Sequence, residues 1–284
     1  MRKISSVTDT ADANGEFTEG NVAQGVSPTI LKADIFNTWQ RELVNVVEKA
    51  GIELDPNDDG QVFKAINKSV GSGRLLNIKT FKSSGAYMPS LGTNFIVVEA
   101  IGGGGAGGGA AATGTGAVSV GSGGTAGSYG KSIFTTGFSG AVVTVGARGV
   151  PIAGESGGAG GASSFGTLLI AAGGSGGIRK GPSEPTFGVT GSSAGGTVTG
   201  ANIISASGAP GGYSMAISLL GTVGGIGAAS IYGGGGTLNI AAENGVEGSA
   251  PGSGGSGAFQ GENQAIARSG GAGAAGVVIV WEYA

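Results

Sequence analysis

Seven carboxylates are spread through the glycine-rich part of this chain: Glu99, Glu155, Glu184, Glu243, Glu247, Glu262 and Glu282. Only Glu243 and Glu247 lie close together in sequence. Hydrolysis of a glycoside by acid and base needs two carboxyl groups held within about 5–10 Å of each other across one bond, and scattered acids do not provide that. There is no cysteine and no histidine. Their absence removes disulfides, thiolate and imidazole zinc sites, the nucleophile–imidazole dyads and the commonest general base at neutral pH. One acidic cluster, "DPNDDG" from Asp55 to Gly60, opens in the manner of an EF-hand calcium loop, but the twelfth position, where a bidentate Glu should close the loop, is Ile66. Asp58 and Asp59 are therefore read as caps of a following helix. No catalytic residue, metal site or cofactor is expected.

What remains is binding chemistry, carried by inserts between glycine clusters. Arg179, Lys180 and Phe187 lie in 178–194, Tyr213 and Met215 in 213–220, Leu238 and Asn239 in 237–251. If glycine segments run back and forth, these three inserts fall at the same end by parity, and each is longer than the intervening 201–207 and 228–232. Aromatic and cationic side chains on loops of a rigid scaffold suit recognition. For Met215 and Leu238, plugging the end of the scaffold is an equally good reading.

Two compositions are joined in the chain. Residues 1–82 hold 10 Lys/Arg, 11 Asp/Glu and 7 Gly, whereas 83–284 hold 5, 7 and 58. The opening 1–31 reads as an extended arm. Over 32–71 a helical attachment or oligomerisation region is expected: Ile35, Phe36, Trp39, Leu43, Val46 and Val47 recur at three- and four-residue intervals, with Asp34 placed as N-cap and Gly51 as the stop. A second, shorter helix would bury Val62, Phe63, Ile66 and Val70. Two such helices bury little on their own, so the stripe containing Trp39 calls for a partner. Residues 72–92 read as a linker and 93–284 as a glycine-rich domain.

Ordering 58 glycine backbones costs on the order of 60–100 kcal/mol, at about 1–2 kcal/mol each. Only backbone hydrogen bonds and close chain-to-chain contact can offset that, since glycine buries no side chain. The fold expected is a small helical head followed by a domain of polyglycine-II-type helices mixed with short strands, mainly β and irregular overall. "NFIVVEAI" and the terminal "GVVIVWEY" are β-branched and apolar, and would pair to close the domain. With net charge −3 and pI near 5 there is no basic stripe, so nucleic acid is not an expected partner. The polar start and the lack of any run of about 18 apolar residues suggest synthesis in a cytoplasm.

The stretch from Ile4 to Ile66, "ISSVTDTADANGEFTEGNVAQGVSPTILKADIFNTWQRELVNVVEKAGIELDPNDDGQVFKAI", resembles the N-terminal region of tail-fibre proteins of tailed phages, prophages and phage-derived tail particles. The body resembles the glycine-rich C-terminal domain of such fibres, with "FKSSGAYMPSLGTNFIVVEAIGGGGAGGG" at its start and "GGAGAAGVVIVWEYA" at its end. It is also similar in character to the polyglycine-sandwich adhesins of T-even-like phages, although the head is unlike theirs. The resemblance implies a homotrimeric virion component, held through its N-terminal region by a tail or baseplate protein. Loops of the glycine-rich tip would recognise a host surface receptor, either an outer-membrane protein or lipopolysaccharide. A structural connector without receptor binding is the alternative.

Overall fold

The computed structural model describes residues 2–71, 73–193, 195–238 and 243–284. The chain divides into two compact units, Met1–Arg74 and Leu75–Ala284.

In the first unit, α1 (Ala33–Lys49) and α2 (Gln61–Gly71) are the two α-helices among the described residues. Lys32, not Asp34, is the N-cap of α1 and makes no side-chain cap bond. Asp34 sits inside the first turn, where its charge still favours the positive end of the helix. Gly51 closes the other end in the left-handed conformation, φ +66°. The stripe of α1 is split. Ile35 and Val47 are buried, while Phe36, Trp39, Leu43 and Val46 stay exposed. On α2 the buried residue is Ala65, a side chain small enough for two helices to approach closely, and Phe63 and Ile66 face outward. Val62 is half-buried, and the side chain of Val70 lies outside the described residues.

The segment read as an extended arm folds back. Short 3-10 turns form at Ile4–Ser6 and Val22–Gln24, and Ile4 is buried. Arg2 donates from Nε to Thr38 Oγ1 and from Nη2 to the Asp34 carbonyl, both at 3.1 Å. Phe17 leans on Trp39 with ring centroids 5.9 Å apart. The "DPNDDG" turn is self-contained. Asp58 accepts from the Gly60 amide and pairs with Lys64 at 2.5 Å, and the hydrogen bond from Lys64 holds its carboxyl below the usual range.

The second unit is built from sixteen strands among the described residues. They are β1 (Leu75–Phe81), β2 (Gly85–Ala86), β3 (Phe95–Ile101), β4 (Val118–Gly121), β5 (Tyr129–Phe134), β6 (Val142–Thr144), β7 (Ser163–Phe165) and β8 (Leu169–Ala171). There follow β9 (Arg179–Ser183), β10 (Phe187–Val189), β11 (Val198–Thr199), β12 (Ile204–Ala206), β13 (Ser214–Ala216), β14 (Thr222–Val223), β15 (Phe259–Gln260) and β16 (Val277–Tyr283). The segment read as a linker thus carries β1 and β2. A five-stranded antiparallel sheet, β1-β16-β3-β5-β12, packs on another, β11-β8-β7-β6-β2. As its β-branched runs suggest, β16 pairs with β3 along its whole length, from Val277 opposite Ile101 to Tyr283 opposite Phe95. Ile96, Val98, Ala100, Val278 and Val280 point inward to Tyr87, Phe165 and Leu169 and form the larger core. Two three-stranded sheets, β15-β4-β9 and β10-β13-β14, enclose a smaller core of Val118, Val120, Val189, Ala216 and Phe259.

The expectation of polyglycine-II-type helices mixed with short strands is corrected. Among the described residues every helix or strand assigned in this unit is a β-strand, and the fold is mainly β. The reason lies in where apolar side chains stand: only the β-branched and aromatic runs have faces to bury, and they pair with one another into sheets that hold these two cores and a third small cluster of Ile101, Tyr129 and Val277. The glycine runs are buried connections between those sheets. Residues 102–110 leave the end of β3, and 121–128 return alongside them into β5. Gly102, Gly105 and Gly108 donate to the carbonyls of Ser128, Thr125 and Ser122. Gly103, Ala106 and Gly109 donate to Gly161, Gly158 and Glu155, while Gly104, Gly107 and Ala110 donate to Ala274, Gly271 and Arg268. One run is thus shared among three neighbours, every third amide to each. The approach needs glycine at Gly104, where a Cβ would overlap the Ser253 carbonyl oxygen.

Candidate functional site

The site grows from the alternation of β13. Ser214 and Ala216 are buried toward the smaller core, so Met215 faces outward, opposite Val223 of β14 on the same face. Beside them Tyr213, Ile226 and Leu238 complete an open apolar groove of about 270 Å³. At Gly212, Ile226 and Leu238 it runs into a second hollow of about 440 Å³, floored by Pro210, Ala228 and Ala229. Tyr213 is 69% exposed and Ile226 55%. Among the described residues, no charged side chain lines either hollow.

Three of the residues singled out from sequence, Tyr213, Met215 and Leu238, meet here from two inserts separated by a glycine run. Phe187 is on the neighbouring strand β10, opposite Ala216, but it turns inward and packs on the smaller core. It acts there as a plug. Lys180 stands over the Phe187 ring, its Nζ 5.0 Å from the centroid, and Arg179 donates to the Gly181 carbonyl at 2.6 Å and lies 3.6 Å from the Glu155 carboxylate. Both belong to β9, in the adjacent sheet, and neither lines the groove. Asn239 lies outside the described residues. Val223, Ile226 and Pro210 were not singled out. The signal for the first two was present in "GTVGGIG", where large apolar side chains stand alone between residues that cannot cover them.

On the first unit, Phe36 and Trp39 meet edge to face with centroids 5.7 Å apart. A hollow of about 440 Å³ between the opening segment and α1 is lined by Arg2, Lys3, Phe17, Ile35 and Trp39. Leu43 and Val47 line a smaller one, about 190 Å³, with Leu54 and Val62. Phe36, Trp39, Leu43 and Val46 are the part of the stripe left exposed.

Five of the body's seven carboxylates, Glu99, Glu155, Glu247, Glu262 and Glu282, have partners in the structure. Glu282 has no exposed surface; it accepts from Tyr87 Oη at 2.8 Å and Ser90 Oγ at 2.6 Å, and pairs with Lys79 at 2.8 Å. Burial alone would raise its pKa, but hydrogen bonds from Lys79, Ser90 and Tyr87 outweigh it and hold the group at about 2. Glu99 pairs with Lys131 at 2.8 Å and accepts from Tyr232 Oη at 3.1 Å. Burial and then the Glu99 charge push Tyr129 up to about 12 and raise Tyr232 as well. Glu247 is 3.3 Å from Arg148, and Glu262 accepts from the Gly116 amide at 3.1 Å. Each of these acids is bound to a cation, a hydroxyl or an amide, and none of the described partners is a second carboxylate. Compared with known proteins, the chain matches no family model and no curated protein.

Proposed function

We propose that this protein is a phage or prophage tail-fibre protein, a virion component attached through Met1–Arg74 to a tail or baseplate protein, whose glycine-rich unit binds a host cell-surface receptor. One observation carries the reading: side chains from two separate inserts, Tyr213 and Met215 from one and Leu238 from the other, converge on an exposed apolar groove mounted on a backbone-bonded scaffold. Large aromatic and apolar side chains left exposed together on a rigid base are typical of binding surfaces. The resemblance of Ile4 to Ile66 to tail-fibre N-terminal regions supports the attachment half, as does the open stripe of α1. Binding and not catalysis is the activity proposed.

The test is binding of the labelled full chain to intact Gram-negative cells, including strains lacking single outer-membrane proteins or outer lipopolysaccharide sugars. Strain-selective binding that drops at least tenfold in a Tyr213→Ala, Met215→Ser double variant with unchanged melting supports the reading. A folded protein that binds no strain in a broad panel points instead to a connector.

A further inference from the structure

Asparagine is followed by glycine at two places in the chain, Asn14–Gly15 and Asn244–Gly245. This pair of residues carries a reaction of its own. The glycine nitrogen, unhindered because no Cβ stands beside it, attacks the preceding asparagine at Cγ; the new nitrogen–carbon bond closes a succinimide ring, and the side-chain nitrogen departs as ammonia with the proton that the glycine amide gives up. Water then opens the ring at either carbonyl, leaving aspartate or isoaspartate. The fold treats the two pairs differently.

At Asn244 both reacting groups are held by one residue. Asn244 Oδ1 accepts from the Ser269 amide at 3.0 Å, and the Gly245 amide donates to the Ser269 carbonyl at 2.8 Å. The chains around Gly245 are so close that a Cβ there would stand 2.1 Å from the Ser256 carbonyl oxygen, which leaves the backbone no room to turn toward the Asn244 side chain. Asn14 is instead exposed, in a β-turn from Asp12 to Gly15 closed by the Gly15 amide donating to the Asp12 carbonyl at 3.0 Å. Its carboxamide has no hydrogen-bond partner among the described residues. Lys3 Nζ donates to the Asn14 carbonyl at 2.9 Å. That carbonyl belongs to the same peptide unit as the Gly15 nitrogen, so when the nitrogen loses its proton the negative charge spreads onto the oxygen beside the ammonium, which stabilises it. Of the turn's own carboxylates, Asp12 is engaged with backbone, its Oδ1 accepting from the Asn14 and Glu16 amides at 2.9 and 2.7 Å, and Glu16 is exposed.

We infer that Asn14 is a site of spontaneous deamidation in the folded protein, promoted by Lys3, and that the glycine runs around Asn244 protect the second pair. The change adds a carboxylate, and as isoaspartate a backbone methylene, to the turn that leads into Phe17 and its contact with Trp39. It is independent of the groove and of the attachment reading.

The test is peptide mapping by mass spectrometry of the full chain held in mildly alkaline buffer. In the folded chain, conversion at Asn14 is expected to run about tenfold or more ahead of conversion at Asn244, and to give aspartate and isoaspartate together, the signature of the ring. In urea the two sites are expected to convert at similar rates. Lys3→Met is expected to slow Asn14 roughly threefold or more in the folded chain but not in urea, while Lys3→Arg, which keeps the cation, stays close to the parent; circular dichroism checks that both variants fold. An Asn14 that stays intact in the folded chain while the unfolded chain converts overturns the inference, as do equal rates at the two sites in the folded chain. A Lys3→Met rate equal to the parent's, or a slowing shared by Lys3→Arg, overturns the part given to Lys3.

Discussion

Glu282 shows how a charge can be built into a core. With no exposed surface it would be untenable alone, and Lys79, Tyr87 and Ser90 supply the partners that keep it ionised. Glu282→Gln removes the negative charge but leaves Lys79 facing a neutral amide, and should lower stability by about 3–5 kcal/mol in urea unfolding. The pH dependence follows from the same group. Its folded pKa of about 2 lies below the ordinary 4.5, so the unfolded chain takes up the proton first. The stabilisation is complete above about pH 5 and is lost as pH falls through 4.5 toward 2. Melting temperature should hold steady from pH 7 to 5 and then decline, and the decline should be shallower in Glu282→Gln. Sequence showed Glu282 as one of seven scattered acids and nothing more, because its partners Tyr87 and Ser90 are 195 and 192 residues away.

Among the elements, those with strong periodicity were legible. The helix over Ala33–Lys49 and the pairing of the "FIVVEAI" and "VVIVWEY" strands follow from the spacing of apolar residues, whereas the cap position and the arm do not. Lys32 takes the cap position in place of Asp34 because the helix starts two residues earlier, and the opening segment is fastened by Arg2 and Phe17, contacts that no local pattern announces. The glycine runs were legible as ordered but not as buried connections within a mainly β fold, since composition cannot say which chains they touch. Their tolerance to a methyl group should be sharply uneven. Gly104→Ala, whose Cβ would overlap the Ser253 carbonyl, should cost about 3 kcal/mol or more, or prevent folding. Gly114→Ala, with nothing within 4 Å of the added carbon, should be neutral or stabilising by up to about 1 kcal/mol in the same urea measurement.

For the whole molecule, the division after Arg74 predicts two events on heating, since a unit of helices and a glycine-bonded β unit have separate cores. Calorimetry should resolve them, and a single two-state transition would contradict the division. Arg74 itself is exposed, so brief trypsin treatment should release a fragment beginning at Leu75. The candidate groove was half legible at this scale. Parity drew attention to the inserts carrying Tyr213 and Leu238, which meet at the groove, yet the sheet that aligns Met215 with Val223 and turns Phe187 inward depends on pairings across the chain.

The three-way sharing of the run 102–110 has a consequence for how such a protein can change. An ordinary core is a jigsaw of side chains, and altering a surface loop often disturbs the pieces beneath it. Here the glycine runs of the unit, those beside the groove included (Gly123 to Gly212, Gly212 to Ile226, Gly227 to Gly236), are joined by amides and carbonyls, which are the same in every residue and indifferent to what the inserts carry. Inserts that join these runs without entering either core can therefore change in length and sequence with little repercussion on the bonding beneath them.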